Sequence, residues 1–508
     1  MSEQEYDVVV IGAGPVGENV ADRVRRGGLS VAVAEAELAG GECSYWACIP
    51  SKALLRPAAA LAAARAVDGA RQAVTGELDV AAVLARRTRF THAWSDDSGQ
   101  VKWLEGTGSR LVRGHARLAG ERTVEITGPD GDTITLTARH AVVVAPGSAA
   151  AIPAVPGLAE PLVWTSREAT SAEVVPGRLA ILGGGVVACE MATAWRALGA
   201  EVTMLVRGAG LLDRLEPFAG DLVAAALRSA GVDVRTGTGV ARIRRLARAT
   251  PVEIWTRAAA SGHASPGDAS PGDASPGDAS PDATSAGQPA DLVADELLVA
   301  TGRVPRTADL GLESVGLTPG DWLTADDSGL VGAVPGGWLY AVGDVNHRNL
   351  LTHMGKYQAR ACGDAIVARA RGELDGPPSP WTHLAASADH LGAPQVVFTD
   401  PEVAAVGLTE AEATGRGLRV RAVDYELGHV SGAALAADGY AGRARFVVDE
   451  ERLVLAGATF VGPGTAELLH AATIAVVGEV PLGRLWHAVP SFPTISEIWL
   501  RLLETYGL

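Results

Sequence analysis

Two cysteines and a lysine lie close together near the N-terminus of this 508-residue chain. Four residues separate Cys43 from Cys48, and Lys52 follows in a C-x4-C-x3-K pattern. Two thiols at this spacing are candidates for thiol chemistry, for half of a metal site, or for ordinary buried side chains. The chain has only four cysteines and no second close pair, so a zinc site would lack ligands. The neighbouring segments of the sequence are needed to choose among these three roles.

A dinucleotide-binding unit runs directly into the cysteine pair. An apolar run is followed by Gly12, Gly14 and Gly17 in the G-x-G-x-x-G pattern, then by a helical run and a second apolar run that ends at Glu35. The glycines let the backbone approach a pyrophosphate at the helix N-terminus. Glu35 can hold the hydroxyl pair of a ribose. The segment therefore predicts a bound dinucleotide.

A second dinucleotide-binding unit begins near residue 178. Its glycine-motif positions are held by three small residues: Gly183, Gly185 and Ala188. The strand that follows ends at Arg207, with Arg214 seven residues further on, where a unit that binds NAD would carry an acid. An arginine can pair with the 2′-phosphate of NADP, whereas a carboxylate would repel it. We predict that NADPH is preferred; the alternative is that both arginines only face solvent and NADH serves as well.

The two units and the C-x4-C-x3-K segment together resemble the pyridine-nucleotide-disulfide oxidoreductases, the family of dihydrolipoamide dehydrogenase, glutathione reductase and mercuric reductase. The resemblance covers nearly the whole chain apart from residues 261–290. It implies that the first unit binds FAD and that Cys43 and Cys48 form a redox-active disulfide against the flavin. Cys48 would lie nearer the flavin and Cys43 would attack the acceptor. Lys52 and Glu190 would form an ion pair beside the flavin.

Further segments match the cofactor-binding motifs of the family. The resemblance implies that His115 contacts the adenine through its backbone and that Asp344 binds the ribityl hydroxyls. The helix that starts near His353 would point at the pyrimidine ring of the flavin. Gly147 and Gly302 would lie in the two turns that separate the FAD domain from the NADPH domain.

One C-terminal position departs from the family. Its disulfide reductases end in H-P-T-x-x-E, in which the histidine is the acid/base catalyst of the partner's active site and the glutamate orients it. Here Phe492 stands at the histidine position, whereas Glu497 is retained. Phenylalanine cannot carry a proton, and such catalysis is typically worth about 10²–10⁴ in rate. His487, five residues upstream, is interpreted as an ordinary surface histidine.

The length and the hydrophobic content of 47% predict several domains with ample core. The resemblance implies an α/β fold with two Rossmann-like domains and an α+β dimerisation domain. We assign residues 1–150 and 304–382 to the FAD domain, 151–303 to the NADPH domain, and 383–508 to the interface domain. An Ala-Ser-Pro-Gly-Asp repeat within residues 261–290 predicts a disordered loop, to which we assign no function.

The charge and the termini limit the partners. A formal net charge of −16 argues against nucleic acid or an anionic membrane surface. The chain has no uncharged apolar run of 18 residues, and its acidic N-terminus does not look like a signal peptide. We therefore expect a cytoplasmic bacterial homodimer without a metal, acting on a small-molecule electron acceptor.

The leading prediction is an NADPH-dependent FAD oxidoreductase that reduces a small disulfide with an acidic leaving thiol, or a non-disulfide acceptor such as a quinone. Three alternatives stay open: an enzyme like dihydrolipoamide dehydrogenase with weakened acid/base catalysis, a reductive enzyme that cleaves C–S bonds or carboxylates, and a non-catalytic flavin-binding protein. The intact Cys43, Cys48, Lys52 and Glu190 count against the last. Mercuric reductase is disfavoured because the sequence ends without extra cysteines.

Overall fold

The computed structural model of the protein describes residues 3–259 and 289–508. The repeat that was predicted to form a disordered loop lies outside the described residues; of the segment 261–290, the structure describes only residues 289 and 290. The described chain forms three units. We call residues 3–150 and 303–370 the first unit, residues 151–302 the second unit and residues 383–508 the C-terminal unit.

The first unit is built on a sheet that is parallel on one side and antiparallel on the other. Its strands up to residue 150 are β1 (Glu3–Ile11), β2 (Val31–Glu35), β3 (Arg110–Arg113), β4 (His115–Leu118), β5 (Thr123–Thr127), β6 (Thr133–Val144) and β7 (Ser148–Ala150). Its helices there are α1 (Pro15–Arg26), α2 (Gly41–Tyr45), α3 (Cys48–Arg65), α4 (Ala70–Ala73), α5 (Val80–Phe90) and α6 (Ser98–Gly106). Strands β3, β2, β1 and β6 pair in parallel, and β6, β5 and β4 continue antiparallel. The consecutive apolar residues of β1 are fully buried, as a central parallel strand requires.

The second unit repeats the strand–turn–helix–strand pattern. Its elements are α7 (Ser166–Ser171), β8 (Arg178–Leu182), α8 (Val186–Ala197), β9 (Glu201–Leu205), α9 (Pro217–Ser229), β10 (Asp233–Arg235), β11 (Thr238–Arg244), β12 (Val252–Ala258), β13 (Leu292–Ala294) and β14 (Glu296–Val299). Strands β10, β9, β8 and β14 form a parallel sheet. Strands β11, β12 and β13 form a separate antiparallel sheet.

The chain then returns to the first unit. Strand β15 (Arg303–Pro305) pairs antiparallel with β7, so the two connections between the units lie side by side. Strand β16 (Leu339–Ala341) adds to the first sheet parallel to β6. Helix α10 (Thr352–Ala370) packs along α1. We propose that the ribbon of β7 and β15 marks both boundaries between the dinucleotide-binding domains.

The C-terminal unit consists of an antiparallel sheet that is covered by helices. Its elements are β17 (Gln395–Val397), β18 (Glu402–Gly407), α11 (Glu410–Gly415), β19 (Val420–Glu426), α12 (Ser431–Ala436), β20 (Arg443–Asp449), β21 (Val454–Gly462), α13 (Leu469–Val477), α14 (Leu482–Leu485) and α15 (Ile498–Tyr506). The strand order is β17-β18-β21-β20-β19. Phe446, Phe460 and Trp499 pack their rings together between the sheet and α15. The predicted fold class, two dinucleotide-binding α/β units and an α+β unit, is confirmed.

Within the described ranges, every helix is too short or too polar to cross a membrane.

Deleting residues 262–288 is expected to leave FAD content, dimerisation and stability unchanged. The flanking strands are held by their own pairing, since β12 bonds to β11 and to β13 and buries Val252 and Ile254 completely. The free energy of unfolding should change by less than about 0.5 kcal/mol. The flavin-to-protein absorbance ratio, light scattering and thermal unfolding measure the three properties. A variant with the same residues in scrambled order is the control, and loss of FAD on deletion would contradict the expectation.

Candidate active site

The first glycine turn forces the backbone close to the sheet. Gly12 has φ +100°, and a Cβ there would lie 2.4 Å from the carbonyl oxygen of Ala145. A Cβ on Gly17 would lie 1.9 Å from the Gly12 oxygen. Neither position can carry a side chain without moving the backbone. The turn is therefore built for close packing of β1, α1 and the end of β6.

An open cradle lies at the start of α1. Gly14 is the residue before the helix and faces Gly41, the first residue of α2. The nearest atom that a Cβ on Gly14 would meet is the Gly41 Cα, at 4.0 Å, whereas a Cβ on Gly41 would lie 2.9 Å from the Gly14 Cα. The backbone amides at the start of α1 are thus accessible to a phosphate. These residues fit the pyrophosphate of FAD.

Glu35 ends β2 beside this cradle. One of its carboxylate oxygens accepts a 2.7 Å hydrogen bond from the Ala13 N–H. Burial raises the pKa of Glu35, against the lowering effect of backbone hydrogen bonds. The Gly114 amide donates to the Glu35 carbonyl at 2.9 Å, which brings His115 to the same edge of the sheet. The His115 ring is exposed, and its Nε2 lies 3.1 Å from the Asp309 carboxylate.

Asp344 lies where the first unit resumes after its return. Its carboxylate accepts a hydrogen bond from the Ser148 hydroxyl, and Arg303 lies 3.8 Å away. Gly147 and Gly302 have φ of +75° and +145°, and they precede the two strands of the β7–β15 ribbon. The ribbon therefore places Ser148 and Arg303 beside the Asp344 carboxylate, which we propose binds the ribityl hydroxyls.

The two cysteines meet at the start of α3. Both are half-buried free thiols in this structure, with Cys43 in α2 and Cys48 as the first residue of α3. The Cys48 sulfur lies 3.3 Å from the hydroxyl of Thr352, the first residue of α10. A hydrogen bond from Cys43, the Thr352 hydroxyl and the charge of Lys52 lower the pKa of Cys48 to about 6, against burial. The hydrogen bond to Cys48 and burial raise the pKa of Cys43. The reduced pair is therefore polarised, with the thiolate on Cys48.

Lys52 and Glu190 form a two-point ion pair between the first and second units. The Lys52 Nζ lies 3.0 and 2.8 Å from the two carboxylate oxygens of Glu190, which is buried. The backbone N–H of Phe398 donates to the same carboxylate at 3.1 Å, and the Phe398 ring lies 4.8 Å from Nζ. His353 also binds the C-terminal unit, because its Nε2 lies 2.7 Å from the Pro394 carbonyl. The residues on either side of β17 thus contact both Glu190 and His353, a role that no sequence motif indicates.

The second glycine turn has the same design as the first. Gly183 has φ +129°, and a Cβ there would lie 2.3 Å from the Ala300 oxygen. A Cβ on Gly185 would meet no described atom within 4 Å, so the start of α8 is open to a phosphate. Ala188 is fully buried in α8, where a larger side chain would not fit. These three positions fit a second dinucleotide.

The two candidate arginines for the 2′-phosphate differ in their surroundings. Arg207 follows β9, is exposed, and has no hydrogen bond or ion pair with any described residue. Arg214 is also exposed, but its charge adds to the effect of burial in lowering the pKa of His347. Arg214 therefore lies toward the first unit. Arg207 is the better candidate for a contact to the nucleotide.

The C-terminal segment presents an apolar ring to solvent. The Phe492 side chain is 75% exposed, while Glu497 is buried and its Oε2 has no hydrogen-bond partner among the described atoms. Arg501 lies 4.0 Å from the other oxygen of Glu497. A buried carboxylate without a partner is costly, since it loses hydration without compensation. The carboxylate that would orient a histidine is therefore present, whereas a phenylalanine stands at the position of the histidine.

A clamp around Trp46, between the cysteines, is an additional feature of the site. Arg167 of α7 donates to both oxygens of Glu37 at 3.0 and 2.7 Å and to Glu42 at 2.6 Å. Its guanidinium lies 4.1 Å from the Trp46 ring, and the Thr170 hydroxyl donates to the Trp46 carbonyl at 3.0 Å. The second unit thus holds the cysteine segment. In the sequence, this contact is indicated only by the acidic residues Glu37 and Glu42 and by the large ring of Trp46.

No group of three or more His, Cys, Asp or Glu side chains in residues 3–259 and 289–508 is arranged to hold a metal ion.

Two dinucleotide cradles on either side of a polarised thiol pair define an oxidoreductase that uses FAD and a pyridine nucleotide. Two family models match the chain: pyridine nucleotide-disulphide oxidoreductase over residues 6–365, and the dimerisation domain of the same family over residues 393–502. The chain belongs to the pyridine nucleotide-disulphide oxidoreductase family.

Relatives of known activity match over almost the whole chain. The dihydrolipoyl dehydrogenase of Thermus scotoductus is 30% identical over 503 residues, which cover 97% of this chain and 95% of the relative. The mercuric reductase of Shigella flexneri is 31% identical over 499 residues, which cover 97% of this chain and 78% of the relative.

Solved structures share the fold at lower identity. The flavoprotein disulfide reductase RclA of Escherichia coli, determined as a Cu(II) complex, superposes with a TM-score of 0.77 at 22% identity and covers 99% of both chains. LpdA of Mycobacterium tuberculosis has a TM-score of 0.78 at 20% identity, covering 99% of this chain and 100% of LpdA.

Replacing Arg167 with methionine is expected to loosen the cysteine segment. The substitution leaves Glu37 without its ion-pair partner, leaves Glu42 with Arg306 alone, and removes the cation from the Trp46 ring. We expect a loss of about 1–3 kcal/mol in the free energy of unfolding, measured by denaturant titration. Arg178→Met is the matched control, because its pair with Asp295 is on the surface and should cost under about 1 kcal/mol. Equal losses in both variants would contradict the clamp.

Proposed function

We propose that the protein is an NADPH-dependent FAD oxidoreductase in which Cys43 and Cys48 pass two electrons to a small acceptor. The observation that carries the proposal is the geometry at the thiol pair, where the Cys48 sulfur lies 3.3 Å from the Thr352 hydroxyl. Glu190 holds Lys52 nearby, and the charge of Lys52 helps to lower the pKa of Cys48. A cytoplasmic location, where thiols are kept reduced, suits a pair that cycles.

Each residue of the site has a separate task in this proposal. FAD, when bound, supplies the two-electron centre between the nicotinamide and the thiols. Glu190 holds the Lys52 ammonium in place, and Lys52 stabilises the thiolate on Cys48. The Cys43 thiol passes its proton to the Cys48 thiolate and attacks one sulfur of a disulfide acceptor, whose S–S bond breaks and releases one thiolate. Cys48 then loses that proton to solvent and attacks the Cys43 sulfur, which closes the Cys43–Cys48 disulfide and releases the second thiolate.

Phe492 limits the acceptors that this cycle serves. A leaving thiolate of ordinary basicity needs a proton, and the exposed ring of Phe492 cannot donate one. The limitation favours a disulfide whose leaving thiol is already acidic, or an acceptor such as a quinone. The match to the dimerisation domain supports a homodimer. We propose that the segment around Phe492 lies over the thiol pair of the partner subunit.

Dihydrolipoamide dehydrogenase activity is the second candidate, because relatives with that activity match the chain from end to end. The same Phe492 counts against it. NADPH consumption with lipoamide, an aryl disulfide, a quinone, Cu(II) and Hg(II) separates the candidates. Turnover with the aryl disulfide or quinone and slow turnover with lipoamide is the expected pattern. Fast lipoamide turnover by the wild type would overturn the proposal.

The nucleotide preference is expected to depend on Arg207. Its guanidinium is exposed and unpaired among the described residues, so a 2′-phosphate can reach it. A charge-assisted contact of this kind contributes about 1.5–3 kcal/mol, or about 10–150-fold in kcat/KM. Arg207→Glu should therefore reverse or erase the preference for NADPH over NADH. Arg214→Gln is the control and should keep the preference; equal use of both nucleotides by the wild type would refute the assignment.

Replacing Phe492 with histidine is expected to create part of the absent acid/base catalysis. The carboxylate of Glu497 is buried without a hydrogen-bond partner among the described atoms and can orient an imidazole. Turnover of lipoamide should rise by about tenfold or more, below the full 10²–10⁴, because the pocket was not shaped for a charged ring. Steady-state assays of lipoamide and quinone reduction measure the effect.

Phe492→Leu is the matched control, since it alters the ring without adding a base. An equal gain in the leucine and histidine variants would show that the size of residue 492, rather than proton transfer, limits lipoamide turnover.

A further inference from the structure

A cavity of about 170 Å³ lies between β6, β16 and the end of α10, away from the thiol pair. Helix α10 begins at Thr352, beside the Cys48 sulfur, and reaches the cavity at Arg369, which is about 26 Å further along the axis. Strand β6 reaches the cavity at Arg139, and Ala145, which contacts the first glycine turn, lies about 20 Å further along an extended chain. The cavity is therefore separate from the FAD cradle and from the thiols.

The walls of the cavity carry hydrogen-bond donors, and none of the described residues that line it is an aspartate or a glutamate. The lining residues with polar side chains are Arg122, Arg139, His140, Tyr340 and Arg369, and the remaining ones are glycine, alanine and isoleucine. A molecule of liquid water occupies about 30 Å³, so the volume corresponds to about five or six waters. The size and the lining therefore suit a small anion.

Arg369 brings a positive charge to the cavity without a carboxylate partner. Its guanidinium donates to the Ser328 hydroxyl at 3.0 Å, to the Tyr340 hydroxyl at 3.3 Å and to the Gly376 carbonyl at 3.0 Å, and it forms no ion pair with a described residue. Asp326 is linked to it only through Ser328, whose hydroxyl donates to that carboxylate at 2.7 Å. A cation that is held by neutral groups keeps its attraction for an anion.

Two further side chains in the cavity have donor capacity to spare. The Nε of Arg122 is buried and has no hydrogen-bond partner among the described atoms, while its Nη1 pairs with Glu121 at 2.8 Å. Burial raises the pKa of Tyr340 to about 12, so its hydroxyl stays protonated at neutral pH and can donate. Arg139, by contrast, is already paired with two carboxylates of β1. A buried donor without an acceptor costs free energy that a ligand oxygen would recover.

We propose that this cavity binds a phosphate group through Arg122, Tyr340 and Arg369, either as inorganic phosphate or as a phosphate monoester. Two guanidinium groups and a hydroxyl match the several acceptor oxygens of a phosphate. The side chain of Arg122 is 35% exposed, whereas Tyr340 is 1% exposed, so the cavity opens to solvent on the side of Arg122. A monoester can therefore place its phosphate inside and its organic part outside. The proposal does not depend on which electron acceptor the thiols serve.

Equilibrium dialysis of the FAD-loaded enzyme with radiolabelled inorganic phosphate tests the site. NADP⁺ is present at saturation, so that the second glycine turn is occupied, and the measurement is repeated on Arg207→Gln. We expect one saturable phosphate per chain with a Kd below about 1 mM in both proteins, and weaker binding as the ionic strength rises. Absence of saturable binding, or loss of binding in Arg207→Gln, would overturn the proposal.

Variants of the two arginines locate the phosphate. Arg369→Gln should weaken binding about tenfold or more, and Arg122→Gln about fivefold because its side chain is partly exposed. Arg89→Gln, at an exposed arginine of α5, is the matched control and should bind phosphate as the wild type does. If Arg369→Gln loses FAD, Arg122→Gln decides, with Arg122→Lys expected to retain part of the affinity. Unchanged binding in Arg122→Gln would overturn the proposal.

Competition against the labelled phosphate distinguishes the two sources of the group. Unlabelled phosphate and glycerol 3-phosphate should both displace the label, and the stronger competitor identifies the source as free phosphate or as a monoester. Sodium chloride at the same ionic strength should displace far less. Equal displacement by chloride would show that the cavity responds to charge alone, which would contradict the match to phosphate.

Discussion

The negative charge on the Cys48 sulfur is the constraint on which the rest of the site depends. A half-buried thiolate is stable only where hydrogen bonds and a nearby cation replace its hydration. Here the replacement comes from Cys43, Thr352 and Lys52, which lower the pKa of Cys48 to about 6. Each of these groups is fixed by a different element, namely α2, α10 and α3. The sulfur therefore requires the first unit to be complete, including the helix that returns late in the chain.

The second layer of support comes from the other two units. Glu190 of α8 holds Lys52, and the residue that follows β17 supplies the Phe398 amide to the same carboxylate. Arg167 of α7 clamps the segment between the cysteines from the side of the second unit. The thiol pair thus sits where the three units meet.

Local patterns were sufficient to predict the fold class and the two dinucleotide cradles, because each strand–turn–helix is contiguous in the sequence and its glycines are forced by backbone contacts. Glu190 and Asp344 could be named only through the family resemblance, since nothing local ties them to the cysteines. Phe398 and Arg167 could not be predicted. Their roles arise from the packing of distant segments, which no motif spacing encodes.

The absorption spectrum of the half-reduced enzyme tests the central claim most directly. Anaerobic addition of one equivalent of NADPH should give a band at longer wavelength than the flavin itself, from the Cys48 thiolate in contact with FAD. Because the thiolate exists only above the pKa of Cys48, the band should fade as the pH drops through about 6. It should be absent in Cys48→Ser, whereas Cys43→Ser, which has no disulfide to reduce, should show it before any NADPH is added. A wild type without the band, or a Cys48→Ser variant that keeps it, would contradict the assignment of the redox pair.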